Sequence, residues 1–86
     1  MNSTDALLLI GTAVAPLGAS KVTAGTFYGA NDWRNTALLV AALSGAYHLA
    51  TGSSRAGAVA LGSDSGALAM YLGRRYYEQQ AALAAR

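Results

Sequence analysis

Between Thr36 and Thr51 the chain reads TALLVAALSGAYHLAT, sixteen residues with no charge except one that His48 can carry. Such a run is a helix that must be covered, either by other protein or by lipid. At 1.5 Å per residue it covers roughly 24 Å, against a hydrocarbon layer of about 30 Å, so spanning needs flanking residues, local thinning or oligomer contacts. The rest of the chain does not supply the missing polar surface. Only 12% of the 86 residues are charged while 53% are hydrophobic, where a soluble domain carries about 25% charged residues. A chain this short buries little surface by itself. A single helical domain over residues 1–86 that relies on partners or a bilayer is therefore expected.

Two further apolar stretches flank the first. Residues 4–20 place Leu7, Ile10, Val14 and Leu17 at helical spacing, with Ser3, Thr4 or Asp5 as candidate caps. Pro16 lies inside this stretch and removes a backbone donor, which predicts a kink or a helix that ends near Ala15 and restarts. A secretory signal peptide is the rival reading of this stretch. It would need basic residues ahead of the apolar run, where Asp5 stands instead, and its A-x-A pair Ala13–Ala15 is followed by Pro16. The segment is expected in the mature protein. Lys21 to Asn35 is a connector, with Gly25 and Gly29 four apart and Asn31–Asp32 available to cap the helix over 32–51. Gly52, Ser53, Ser54 and Arg55 form a polar turn, and a third helix is expected over 56–84 with a polar tail from residue 74 to 86. The expected fold is all-α: a helical hairpin plus an N-terminal helix, of membrane or filament type.

Thirty of the 86 residues, twenty Ala and ten Gly, fall at spacings that matter. Ala58, Gly62, Gly66 and Met70 recur every four residues along the third helix, a smooth groove that another helix can approach closely. The second helix offers Ala42, Ala46 and Ala50 on one strip and Ala41 and Gly45 on the next; the first offers Gly11, Ala15 and Ala19. Leucine at Gly66 is expected to block this packing and alanine to be tolerated.

Chemical equipment is sparse. There is no cysteine, one histidine and four carboxylates, so neither a disulfide framework, a thiolate metal site nor an enzyme is expected. Asp64 is the one acid inside an apolar stretch; a proton or ion site is the sharper reading, a helix cap or a water-facing residue the plainer one. A hairpin closing on residues 52–55 sets Asp64 level with about Ser44 and His48 level with about Val59, too far apart to pair. His48, with Ser44 four residues before it, is a lone candidate for pigment or haem ligation. Trp33, Arg34, Arg74, Arg75, Tyr76 and Tyr77 are the residue types that anchor helix ends at a lipid interface. The basic residues are scattered along the chain, so direct nucleic-acid binding is not expected. In a three-pass arrangement Lys21, Arg34, Arg74 and Arg75 share one side and Arg55 the other.

The segment ALLVAALSGAYHLATGSSRAGAVALG, two small-residue-rich apolar helices joined by a short turn carrying Arg55, resembles the pilins of conjugative type IV secretion systems. The resemblance implies a subunit held in the membrane and drawn into a hollow helical filament. It also implies packing with phospholipid, with Gly52, Ser53, Ser54 and Arg55 at the lumen as the head-group turn. The expected function is that of a structural, self-associating, lipid-bound subunit without a cofactor other than structural phospholipid, located in a membrane or in an extracellular filament. The alternatives are a small accessory transmembrane subunit of a larger membrane or virion complex and, behind it, a pigment- or haem-binding polypeptide.

Overall fold

A computed structural model describes residues 2–28 and 31–85, which form three helices and, among the described residues, no strand. They are α1 (Ser3–Ala24), α2 (Asn31–Thr51) and α3 (Ser54–Ala84). Gly29, the second glycine of the connector pair, and Arg86 of the tail lie outside the described residues.

The first helix is longer than its sequence pattern suggests at both ends. Its cap is Asn2 rather than Ser3, Thr4 or Asp5: the Asn2 side-chain oxygen accepts the Asp5 backbone N–H at 2.8 Å. It closes at Gly25, whose left-handed φ of 76° lets its N–H reach the Lys21 carbonyl at 3.0 Å. The helix neither ends nor restarts at Pro16. Pro16 has no N–H for the Thr12 carbonyl, but that carbonyl lies beside Gly66 of α3 and the proline ring packs there too, so tertiary contact holds the helix through the proline.

The link between α2 and α3 is two residues, not the four of the expected turn. Gly52 takes a φ of 72° and donates to the His48 carbonyl at 2.8 Å. Ser53 then caps α3, its hydroxyl accepting from the Ala56 N–H at 3.3 Å, so Ser54 and Arg55 already belong to the first turn of α3. The shorter link resets the hairpin. His48 lies against Gly57 instead of Val59, and Gly45 faces Ala60, which carries Asp64 to the level of Ala41 instead of Ser44. The third helix continues unbroken through Ser63, Asp64 and Ser65, so Asp64 caps nothing. Gly52→Ala should cost about 1–2 kcal/mol of folding stability, because the left-handed conformation is unfavourable for any L side chain. Thermal denaturation followed by circular dichroism measures this, and an unchanged midpoint would show that the turn relaxes to another conformation.

The third helix is the axis of the molecule. It runs antiparallel to α2 and parallel to α1, whose Leu9 and Thr12 meet Gly62 and whose Ala13 and Pro16 meet Gly66. Both neighbours pack extensively on α3 but hardly on each other. The 31 residues of α3 exceed either partner, and the molecule is 52 Å long against 21 × 20 Å across. At the α1–α2 loop end, Tyr28 packs against Gly73 and lies 5.8 Å from the Tyr77 ring, while an Arg74 guanidinium N–H donates to the Asn31 side chain. The Arg74–Glu78 pair at 3.2 Å is exposed and adds little stability.

Candidate assembly surface

The interior of this bundle is made of small residues. Its buried apolar side chains are Ala37, Ala41, Ala58, Ala67 and Met70, with the glycines Gly62 and Gly66 beside them. The large apolar side chains point the other way. Of the face given by the α1 periodicity, Leu7, Ile10 and Val14 are exposed and Leu17 is half-buried; exposed too are Leu38, Leu39, Leu43 and Leu49 of α2 and Leu61, Leu68 and Leu72 of α3. The buried face of α1 is instead Asp5, Pro16 and Ser20. Close approach of backbones explains the inversion: a helix pressed onto Gly62 and Gly66 leaves no room for leucine between them.

The groove residues Ala58, Gly62 and Gly66 are all buried, and the helix that lies in the groove is α1 of the same chain. A methyl group on Gly66 would meet the Ala13 carbonyl oxygen at 2.7 Å and Pro16 Cγ at 2.8 Å; on Gly62 it would collide with Thr12 Oγ1 and the Leu9 carbonyl. The tolerance expected for alanine at Gly66 therefore does not fit this geometry. On α2 the contact strip is Ala37, Ala41 and Gly45; Ala42 and Ala46, expected in helix packing, are exposed. On α1, a methyl group added at Gly11 or Gly18 would meet no other part of the bundle.

Apart from Asp64 in the middle of α3, the charges gather at the two ends. Arg55 is exposed beside the Gly52–Ser53 link, Ser54 is exposed and Ser53 half-buried. At the other end stand Lys21, Asp32, Arg34, Arg74, Arg75 and Glu78. The nineteen helical steps from Arg55 to Arg74 correspond to roughly 28 Å of helix, close to the hydrocarbon thickness of a bilayer. Among the expected anchors, Trp33 is half-buried and donates its indole N–H to Thr23 Oγ1 at 2.9 Å, tying α2 to the last turn of α1. Arg75 donates to the Tyr71 hydroxyl at 3.0 Å. Tyr76 and Tyr77 are exposed, and Tyr77 still reaches the Tyr28 ring at the loop end of the bundle. Among the described residues one helix, α1, is long and apolar enough by itself to cross a membrane; a signal sequence or a soluble core helix meets the same criterion.

Three polar features escape sequence reasoning. Asp5 is 2% exposed and its Oδ1 has no hydrogen-bond partner among the described residues; nothing in the sequence separates it from an ordinary first-turn acid. The parallel register sets it near the start of α3, where two helix N-termini favour negative charge. Ser20 is fully buried and donates to the Thr26 carbonyl at 2.7 Å, which fixes the departure of the chain from α1. His48 is held by the Ser53 carbonyl, 2.8 Å from Nδ1; a carbonyl can only accept, so Nδ1 carries the proton. Between α1 and α2 a groove of about 230 Å³ opens, lined by Thr12, Pro16, Ala19, Trp33 and Val40 and reaching Ser63 of α3. Among the described residues no three His, Asp or Glu side chains converge as a metal site would require. No family model, curated protein or solved structure matches the chain.

Proposed function

We propose that the chain is a structural subunit of a homo-oligomeric, lipid-associated helical assembly, a filament of the pilin kind. The observation that carries this reading is the inverted distribution of side chains: alanine, glycine and serine inside, leucine, isoleucine and tyrosine outside. Water disfavours such a surface, whereas lipid tails and neighbouring copies both cover it. The spacing of the terminal charges suits the same role, since Arg55 and the Arg74–Arg75 pair stand about one hydrocarbon thickness apart. The two-residue link with Arg55 beside it is the element that would meet lipid head groups.

Negative-stain microscopy of the native material tests the reading. Filaments of uniform width are expected. A single copy beside unlike chains would assign the protein to the accessory transmembrane class instead, and a stable monomer in detergent-free buffer would overturn both.

A further inference from the structure

Asp64 is exposed near the middle of the apolar zone, nine residues after Arg55 and ten before Arg74. With Arg34, Leu38, Ala67, Leu68 and Tyr71 it lines a depression of about 550 Å³ on the α2–α3 pair. Arg34 is incompletely bonded. Its Nε is buried with no partner among the described residues, and one terminal N–H meets Asn35 Oδ1 at a long 3.4 Å. The hairpin contacts of His48 with Gly57 and of Gly45 with Ala60 set Arg34 level with Tyr71 and Leu38 level with Ala67. One face thus carries an acid and a guanidinium about 10 Å apart along the axis, with Leu38 and Leu68 midway between them. Among the described residues the two charges form no ion pair with each other.

A carboxylate in this position is costly against hydrocarbon and calls for protein or water over it. A second copy supplies what each charge lacks. A two-fold axis lying in this face, across the helices and midway between the two charges, exchanges their levels, so Arg34 of each copy comes to Asp64 of the other. We propose that the chain forms a closed antiparallel pair through this face, with two reciprocal Arg34–Asp64 ion pairs around a centre made by Leu38 and Leu68 of both copies. A two-fold along the helices would bring Asp64 to Asp64 and Arg34 to Arg34, and like charges so opposed exclude it. The axis crosses α3 (Ser54–Ala84) close to its middle, so the copies cover one another along nearly their whole length and the last turns of each α3 lie over the hairpin turn of the other. Charge complementarity selects this occupant: lipid supplies no cation at the level of Asp64, and a second copy carries the same two charges at the same spacing in reverse order. The inference rests on the self-associating reading above and adds which face meets and in which sense. In a bilayer the pair forms only between copies inserted in opposite senses; in detergent no such restriction holds. Closure uses both acids and both guanidinium groups, which leaves growth of a longer assembly to other surfaces, such as Leu7, Ile10 and Val14 of α1.

Cross-linking at the axis tests the geometry without touching either charge. The chain has no native cysteine, and a single introduced cysteine meets its own counterpart only where the axis passes. Leu68 and Leu61 are both 57% exposed. In mild detergent, Leu68→Cys chains should give dimers and nothing larger with a short bis-maleimide. Leu61→Cys chains should stay monomeric, because the pairing separates that site from its counterpart by about 20 Å along the axis. Equal cross-linking at the two sites would show a parallel contact and overturn the proposal. The charge variants give a second measurement. Arg34→Asp and Asp64→Arg should each lower the dimer fraction about tenfold or more, since every pair then meets like charges. Mixed together they should pair with one another, because one brings two acids and the other two guanidinium groups. A mixture that stays monomeric while both variants are helical by circular dichroism overturns the ion pairs. A chain that associates but leaves Leu68→Cys unlinked removes the antiparallel pair alone, whereas a native chain that is monomeric in every medium removes the self-associating reading first.

Discussion

Gly62→Ala detaches α1 from α3. The added methyl has nowhere to go, because the atoms it meets are the Thr12 hydroxyl and the Leu9 backbone carbonyl of a packed helix rather than the end of a mobile side chain. The helices must separate, and overpacking of this kind costs typically ~1–3 kcal/mol. Alanine regains up to ~1 kcal/mol of helix propensity, which offsets only part of that. Gly66→Ala adds a second clash one turn along, against the Ala13 carbonyl at 2.7 Å, so the double variant should lose the α1 contact altogether while α2 and α3 stay paired. Trp33 is the reporter. It is the single tryptophan, and its indole bond to Thr23 joins α2 to the end of α1. A red-shifted, more quenchable Trp33 with far-UV circular dichroism nearly unchanged is expected. Alanine at Gly11 or Gly18, where a methyl meets nothing, is the control and should leave both signals as they are. Equal behaviour of Gly62→Ala and Gly11→Ala would show that α1 does not lie in the groove.

The periodic apolar runs made the three helices legible, and the spacing of Ala58, Gly62 and Gly66 marked where α3 is narrow. What lay beyond sequence was which neighbour takes each strip. The hairpin register depends on the length of its link, and one serine decides that. Ser53 caps α3, Ser54 and Arg55 become helical, and every pairing between α2 and α3 shifts along the axis. Pro16 misled for a related reason: a proline read alone ends a helix, but here its ring and the carbonyl it leaves unbonded both lie on the glycine surface of α3. The α1 face is the most instructive. Leu7, Ile10 and Val14 have the periodicity of a core stripe, yet helices that meet through glycine put their small residues inward and their leucines outward. Periodicity identifies a face without saying which medium it faces.

That ambiguity is settled by moving a charge onto the outer face. Leu43 of α2 is 64% exposed and level with the middle of the apolar zone, while Val22 of α1 is 86% exposed and level with Arg75 at its edge. In water, lysine at either site is an ordinary surface substitution worth within about 0.5 kcal/mol. In lipid the two differ sharply. A lysine at the centre of a spanning helix costs about 2.5–3.5 kcal/mol and the lost leucine about half a kcal/mol more. At the edge the side chain reaches the head groups and costs little. Leu43→Lys is therefore expected to reduce membrane recovery and assembled material by about a hundredfold, the equivalent of ~3 kcal/mol, with Val22→Lys close to the parent. Sedimentation of membranes and assemblies, quantified on the same gel, measures both. Equal recovery of the two variants would mean that the outer leucines face water, and the reading of this surface as lipid-facing or subunit-facing would fall with it.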